Sequence, residues 1–219
     1  MSLLPCIEIE PVLPANATVI WLHGLGADGH DFEPIVPELN LPADMSVRFI
    51  FPHAPSIPVS INNGYVMPAW FDVLSMQIER EVDESQLRQS SQSICAFIDR
   101  EISRGIDSKR IILAGFSQGG AVVYETALSY PKPLAGVLGL STYFATEYSI
   151  QPDEANSNIP IQIYHGDKDN VVPEALGQKS YDKFKLMGYP VNYVTYPIEH
   201  SVCLEEIDEI SKWFQSILK

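Results

Sequence analysis

Short uninterrupted apolar runs alternate along this chain with stretches whose apolar residues recur every three or four positions. The runs cover residues 18–22, 47–51, 111–114, 134–140, 159–164 and 191–196. Their length suits strands, and continuous rather than alternating hydrophobicity predicts parallel strands covered on both faces. Residues 6–10 add a candidate edge strand. Between the runs, Leu87, Ile94, Ile98 and Ile102 fall on one helical face, with Asp83 as N-cap and Gly105 as stop. Residues 120–128 read as a second helix. Leu204, Ile207, Ile210, Trp213, Phe214 and Ile217 keep helical spacing to the end of the chain. Strand and helix in alternation predict an α/β fold with a mostly parallel sheet and helices on both faces. Residues 57–74, rich in Pro, Gly and Asn, form the longest irregular stretch, and long loops in compact domains are often functional. With no linker, repeat or low-complexity tract, residues 1–219 read as one domain.

Composition narrows the function classes. Asp and Glu number 28 against 14 Lys and Arg, a formal charge of -14. Such a chain is a poor partner for nucleic acid or for an anionic membrane surface, both of which select basic patches. No stretch approaches the roughly 18 apolar residues of a membrane span. Cys6, Cys95 and Cys203 are widely spaced and odd in number, which suits free thiols in a reducing compartment. The first residues lack a basic segment followed by an apolar run, so the expected location is cytoplasmic.

The chemistry enters at Gly115-Phe116-Ser117-Gln118-Gly119, between an apolar strand and an apolar helix. Gly-x-Ser-x-Gly in that context is a nucleophile elbow. Ser117 is presented at a sharp turn, and its small neighbours let strand and helix approach. A serine hydroxyl needs a base, and the base needs an orienting carboxylate. On this kind of fold the order is serine, acid, histidine. Of the five histidines, that leaves His165 and His200, and His200, just before the last helix, is favoured. His165 then reads as a hydrogen-bonding residue of the acid loop. Asp167 and Asp169 compete for the acid.

The oxyanion of an acyl-transfer intermediate needs about two fixed donors. The Gln118 N–H follows the nucleophile. The second donor is expected from His23-Gly24-Leu25-Gly26, at Leu25. With Gly29 the same loop also spells a dinucleotide-binding fingerprint, but Pro34 and Pro37 disfavour the helix which that use requires.

Together these segments resemble the phospholipase/carboxylesterase family, which includes bacterial carboxylesterases and acyl-protein thioesterases. The resemblance rests on residues 19–32, Phe51-Pro52-His53-Ala54-Pro55, residues 63–72, residues 113–121, Leu140-Ser141-Thr142-Tyr143 and residues 165–172. It implies an α/β-hydrolase fold without a separate lid domain, a triad of Ser117, Asp169 and His200, and an oxyanion hole of Leu25 and Gln118. It also implies a serine carboxylesterase acting on short to medium acyl (thio)esters, with no metal or organic cofactor. The partner would be a small-molecule ester or an acylated substrate, with lipidated protein or lysophospholipid as further candidates. The family also allows a homodimer. Trp70, Phe71 and Leu74 are candidates for the acyl wall. Where bacterial relatives often carry Gly-His at the base, this chain has Glu199-His200, which opens the pH optimum to change. The rival readings are a catalytically silent binding protein, a nucleotide-dependent oxidoreductase and a protease.

Overall fold

A computed structural model describes residues 3–42, 44–75 and 80–219. Its centre is a seven-stranded sheet of β1 (Cys6–Ile9), β2 (Ala17–Leu22), β3 (Val47–Pro52), β6 (Ile111–Phe116), β7 (Gly136–Leu140), β8 (Ile161–Gly166) and β9 (Val191–Tyr196). The spatial order is β1-β3-β2-β6-β7-β8-β9. All neighbours are parallel except β1, which joins β3 antiparallel at one edge. Every residue of β2, β3, β7 and β8 is buried, which is why these segments are mostly apolar, with Thr18, Arg48, Gln162 and His165 as their buried polar members.

Helices cover both faces. The side chains of α2 (Glu84–Ser103), α3 (Gln118–Ser129) and α4 (Glu174–Leu186) pack into one core, with Ile20, Leu113 and Ile163 of the sheet. The other face is covered by α1 (Ile35–Glu38) and α5 (Leu204–Ile217), through Ile207, Ile210 and Phe214 against Trp21 and Phe51. Asp83 caps α2 by accepting the Gln86 N–H at 3.0 Å, and Gly105 follows the helix in the left-handed region at φ 96°.

Residues 57–74 are more ordered than their composition suggests. They hold most of an antiparallel hairpin, β4 (Ser56–Val59) with β5 (Tyr65–Pro68). Asn63 and Gly64, at φ 55° and 76°, turn the chain between them. An Asn-Gly pair is itself a hairpin signal. Its strands are half exposed and carry Pro58 and Pro68, so they lack a hydrophobic run. Also not expected is α4, whose buried apolar side chains are only Leu176 and Phe184.

The amino ends of the parallel strands are tied by charge. Glu101 of α2 is 0% exposed. It accepts from Thr18 Oγ1 at 3.0 Å, Arg48 Nη1 at 2.5 Å, and Arg100 Nε and Arg104 Nη1 at 3.2 Å. Arg104 continues to Glu8 and Glu10 on and beside β1, at 2.8 and 2.7 Å. Removing one member of a buried ionic set leaves its partners uncompensated. Glu101→Ala is therefore expected to lower unfolding free energy by about 3 kcal/mol in urea titration. A loss below about 1 kcal/mol would show the set to be electrostatically neutral in sum.

Candidate active site

The site is assembled at the carboxyl ends of β2, β6 and β8 and on the loop after β9, where open α/β sheets bind ligands. Ser117 is the residue between β6 and α3, at φ 53° and ψ -120°. A non-glycine residue there stores roughly 1–3 kcal/mol of strain and persists only when its surroundings fix it. They do. The Ser117 N–H donates to the Leu140 carbonyl at 2.9 Å, and the Thr142 hydroxyl donates to the Ser117 carbonyl at 2.6 Å. The flanking glycines are sterically required. A Cβ on Gly115 would lie 2.5 Å from the Gly119 backbone, and one on Gly119 would lie 2.6 Å from the His23 carbonyl oxygen.

His200 Nδ1 lies 2.6 Å from Asp169 Oδ2. The other carboxylate oxygen accepts the Val171 and Val172 N–H groups, both at 2.8 Å. Burial alone would raise the Asp169 pKa. The His200 hydrogen bond and the two backbone donors outweigh it and hold the carboxyl below its ordinary value. A charged, acceptor-only Asp169 requires a proton on His200 Nδ1, which leaves Nε2 as the basic nitrogen. The ring packs on Phe116, next to Ser117, with centroids 4.6 Å apart. Asp167 is exposed, and its N–H closes on the Tyr196 carbonyl at 2.9 Å. Of the two competing acids, Asp169 meets His200.

The Leu25 loop lies against the serine, since a Cβ on Gly24 would be 3.4 Å from Ser117 Cβ. Gly26, at φ 78°, donates its N–H to Pro68 of the hairpin at 2.8 Å. Among the described residues no acceptor pairs with the Leu25 or Gln118 N–H. Gly24, Gly26 and Gly29 lead into turns, with α1 starting only at Ile35, so no helix N-terminus follows the fingerprint.

A hydrogen-bond circuit behind this loop was not legible in the sequence. The Gln118 side chain accepts the Trp70 N–H at 2.8 Å and donates to the Phe71 carbonyl at 2.6 Å. Trp70 Nε1 donates to the His23 carbonyl at 2.9 Å. His23 Nε2 accepts the Ala54 N–H at 3.1 Å, so Nδ1 carries the proton and donates to the Gly24 carbonyl at 2.8 Å. Burial lowers the His23 pKa and favours this neutral form. Gln118 and His23 thus fix the loop that carries Leu25.

The three residues expected at the acyl wall differ in exposure. Trp70 and Phe71 are 1% and 0% exposed, so in this conformation they back the site from the core and present no surface to an acyl chain. Leu74 is 51% exposed and lines a cleft of about 500 Å³ whose walls mix Tyr143 and Phe144 with Arg80, Glu84, Glu147 and Lys179, and which none of Ser117, Asp169 and His200 lines. Among the described residues no cluster of three or more His, Cys, Asp or Glu could hold a metal ion, and no helix is long and apolar enough to cross a membrane.

The family model for phospholipase/carboxylesterase matches residues 6–218. The chain belongs to that family. It is a carboxylic ester hydrolase of the α/β-hydrolase fold. It is 38% identical to acyl-protein thioesterase 1 of Neurospora crassa, over 94% of this chain and 89% of the relative. Its identity to acyl-protein thioesterase 1 of Gibberella zeae is 37%, over 93% of this chain and 91% of that relative. Among solved structures, Arabidopsis thaliana SOBER1 superposes with a TM-score of 0.87 at 32% identity, over 94% of this chain and 100% of that one. Acyl-protein thioesterase 2 of Zea mays gives 0.85 at 28%, over 99% and 100%.

Proposed function

We propose that this family member is a serine (thio)esterase that hydrolyses short to medium acyl chains through an acyl-enzyme on Ser117. The observation that carries the reading is the 2.6 Å His200–Asp169 pair packed beside the strained Ser117 elbow. In this mechanism Ser117 Oγ attacks the carbonyl carbon as His200 Nε2 takes its proton. The carbonyl oxygen becomes an oxyanion held by the Leu25 and Gln118 N–H groups. Its collapse breaks the bond to the alcohol or thiol, which leaves with the proton from His200. Water then attacks the acyl-enzyme, His200 takes the water's proton, and Ser117 regains a proton as the acid departs. Asp169 stays ionised and stabilises the imidazolium in both steps. The sequence of steps balances without a metal or organic cofactor.

Leu74, which is exposed, remains a candidate for the acyl wall. Between β7 and β8 the chain forms only a loop and one short 3-10 turn, Glu154–Asn156, which favours an open site. That suits a bulky leaving group. The acyl-protein thioesterases among the relatives favour an acylated cysteine as the physiological substrate. Three free thiols suit a reducing compartment. A family match over residues 6–218 supports reading the chain as one catalytic domain.

A panel of p-nitrophenyl esters of increasing acyl length, run beside an S-acylated cysteine peptide, tests the reading. Turnover of short and medium esters and of the thioester is expected, together with fluorophosphonate labelling at Ser117. Labelling without turnover of any member would overturn the substrate class. Absence of both would overturn the nucleophile.

A further inference from the structure

The reaction uses one imidazole, yet a second sits under the same carboxylate. His165, near the end of β8, is 0% exposed. Its Nε2 lies 2.8 Å from the Val172 carbonyl oxygen and 3.6 Å from Asp169 Oδ2. A carbonyl only accepts, so Nε2 carries the proton. Nδ1 is buried without a partner, and it faces Gly177 of α4 so closely that a Cβ there would stand 2.3 Å from it. The ring is therefore confined between α4 and the acid loop in one tautomer. Its titratable neighbours are Asp169, Glu174 and His200. Burial lowers its pKa, so it adds no cation to compete with His200 for Asp169.

Val172 transmits the contact. Its carbonyl receives His165, while its N–H holds Asp169 Oδ1 at 2.8 Å. One residue is thus held through both of its backbone polar groups, in two successive peptide units, and the carboxylate it holds keeps Oδ2 aimed at His200. We propose that His165, braced by Gly177, is a positioning residue that sets the Asp169 carboxylate through the backbone of Val172. This rests on the serine-esterase reading above. A buried histidine that merely fills core volume would be replaceable by any side chain of similar size. A positioning histidine would not, because its N–H is the working part.

His165→Gln and His165→Met compare side chains of similar length with and without a terminal N–H. Gly177→Ala leaves every hydrogen-bonding group in place and displaces only the ring. A misplaced carboxylate costs alignment in the transition state, so kcat for His165→Met and Gly177→Ala is expected to fall about 10- to 100-fold. KM should change little. The acid limb of kcat/KM should move to lower pH, because a displaced Asp169 stabilises the His200 imidazolium less. The downfield proton resonance of the His200 Nδ1–H should move upfield in both. His165→Gln should recover most of the rate and both signatures. Wild-type kcat, acid limb and resonance in Gly177→Ala, or equal behaviour of the Gln and Met variants, would overturn the proposal. The resonance is read without substrate. A wild-type protein that turns over no ester would therefore refute the esterase reading and leave the positioning geometry separately testable.

Discussion

Ser117→Ala is expected to lower kcat for ester hydrolysis by about 10⁶-fold, with the fold intact. In the proposed mechanism the nucleophile, base and acid act as a unit, so without Oγ the proton-accepting power of His200 has nothing to act on. Donors such as those at Leu25 and Gln118 account for the smaller acceleration that survives a missing nucleophile in enzymes of this type. Steady-state turnover of a p-nitrophenyl ester and the amplitude of its burst phase measure the effect. Retention of more than about 1% of wild-type kcat would remove Ser117 from the role, because the other two groups cannot supply that rate on their own. Backbone strain provides a second, independent readout. At φ 53° a serine side chain is held in a conformation that glycine adopts freely. Ser117→Gly should therefore melt at a higher temperature than the wild type while being equally inactive.

The second large effect belongs to the acid. Asp169→Asn is expected to lower kcat by about 10⁴-fold, because an amide favours the wrong tautomer of His200 and cannot stabilise its cation. Asp167→Asn should stay close to wild type, since Asp167 is exposed and contributes its backbone N–H to the sheet edge. The reverse pattern would reassign the acid. Asp169 also gives the sign of a pH effect on stability. Its folded pKa is lowered, chiefly by the His200 hydrogen bond and the Val172 N–H against the opposing effect of burial. Its stabilisation is complete above the unfolded value of about 4 and is lost as pH falls through the lower folded value. The stability difference between wild type and Asp169→Asn should therefore narrow in that acid range, as followed by denaturant titration at stepped pH.

Much of this arrangement is legible in the sequence because burial on two faces leaves a plain mark. Strands β2, β3, β6 and β8 are apolar at nearly every position, so runs at 18–22, 47–51, 111–114 and 159–164 anticipate them within about two residues at each end. The elbow is legible for a different reason: Gly115 and Gly119 sit where any side chain would strike backbone. What escapes has equally physical causes. The β4–β5 hairpin is half exposed and held by its Asn63-Gly64 turn, so hydrophobicity does not reveal it. Helix α4 buries too few apolar residues to show a stripe. Trp70 and Phe71 read the same whether an aromatic lines a wall or a core, and only packing separates the two. Asp167 and Asp169 stand two residues apart in one loop, and only the fold shows that Asp169 is the one paired with His200. The Gln118 side chain is masked by its own backbone, since the motif draws attention to the N–H and says nothing about the amide that pins Trp70 and Phe71.

The ionic knot around Glu101 lies at the opposite end of the strands from Ser117, with the length of the sheet between them. The buried charges and the proposed chemistry therefore occupy opposite ends of one scaffold. The outer carboxylates Glu8 and Glu10, which reach Arg48 and Arg104 from the β1 side, stand at the far end of the sheet from the Ser117 turn. New substrates could be explored at the loops while the far end holds the strands together.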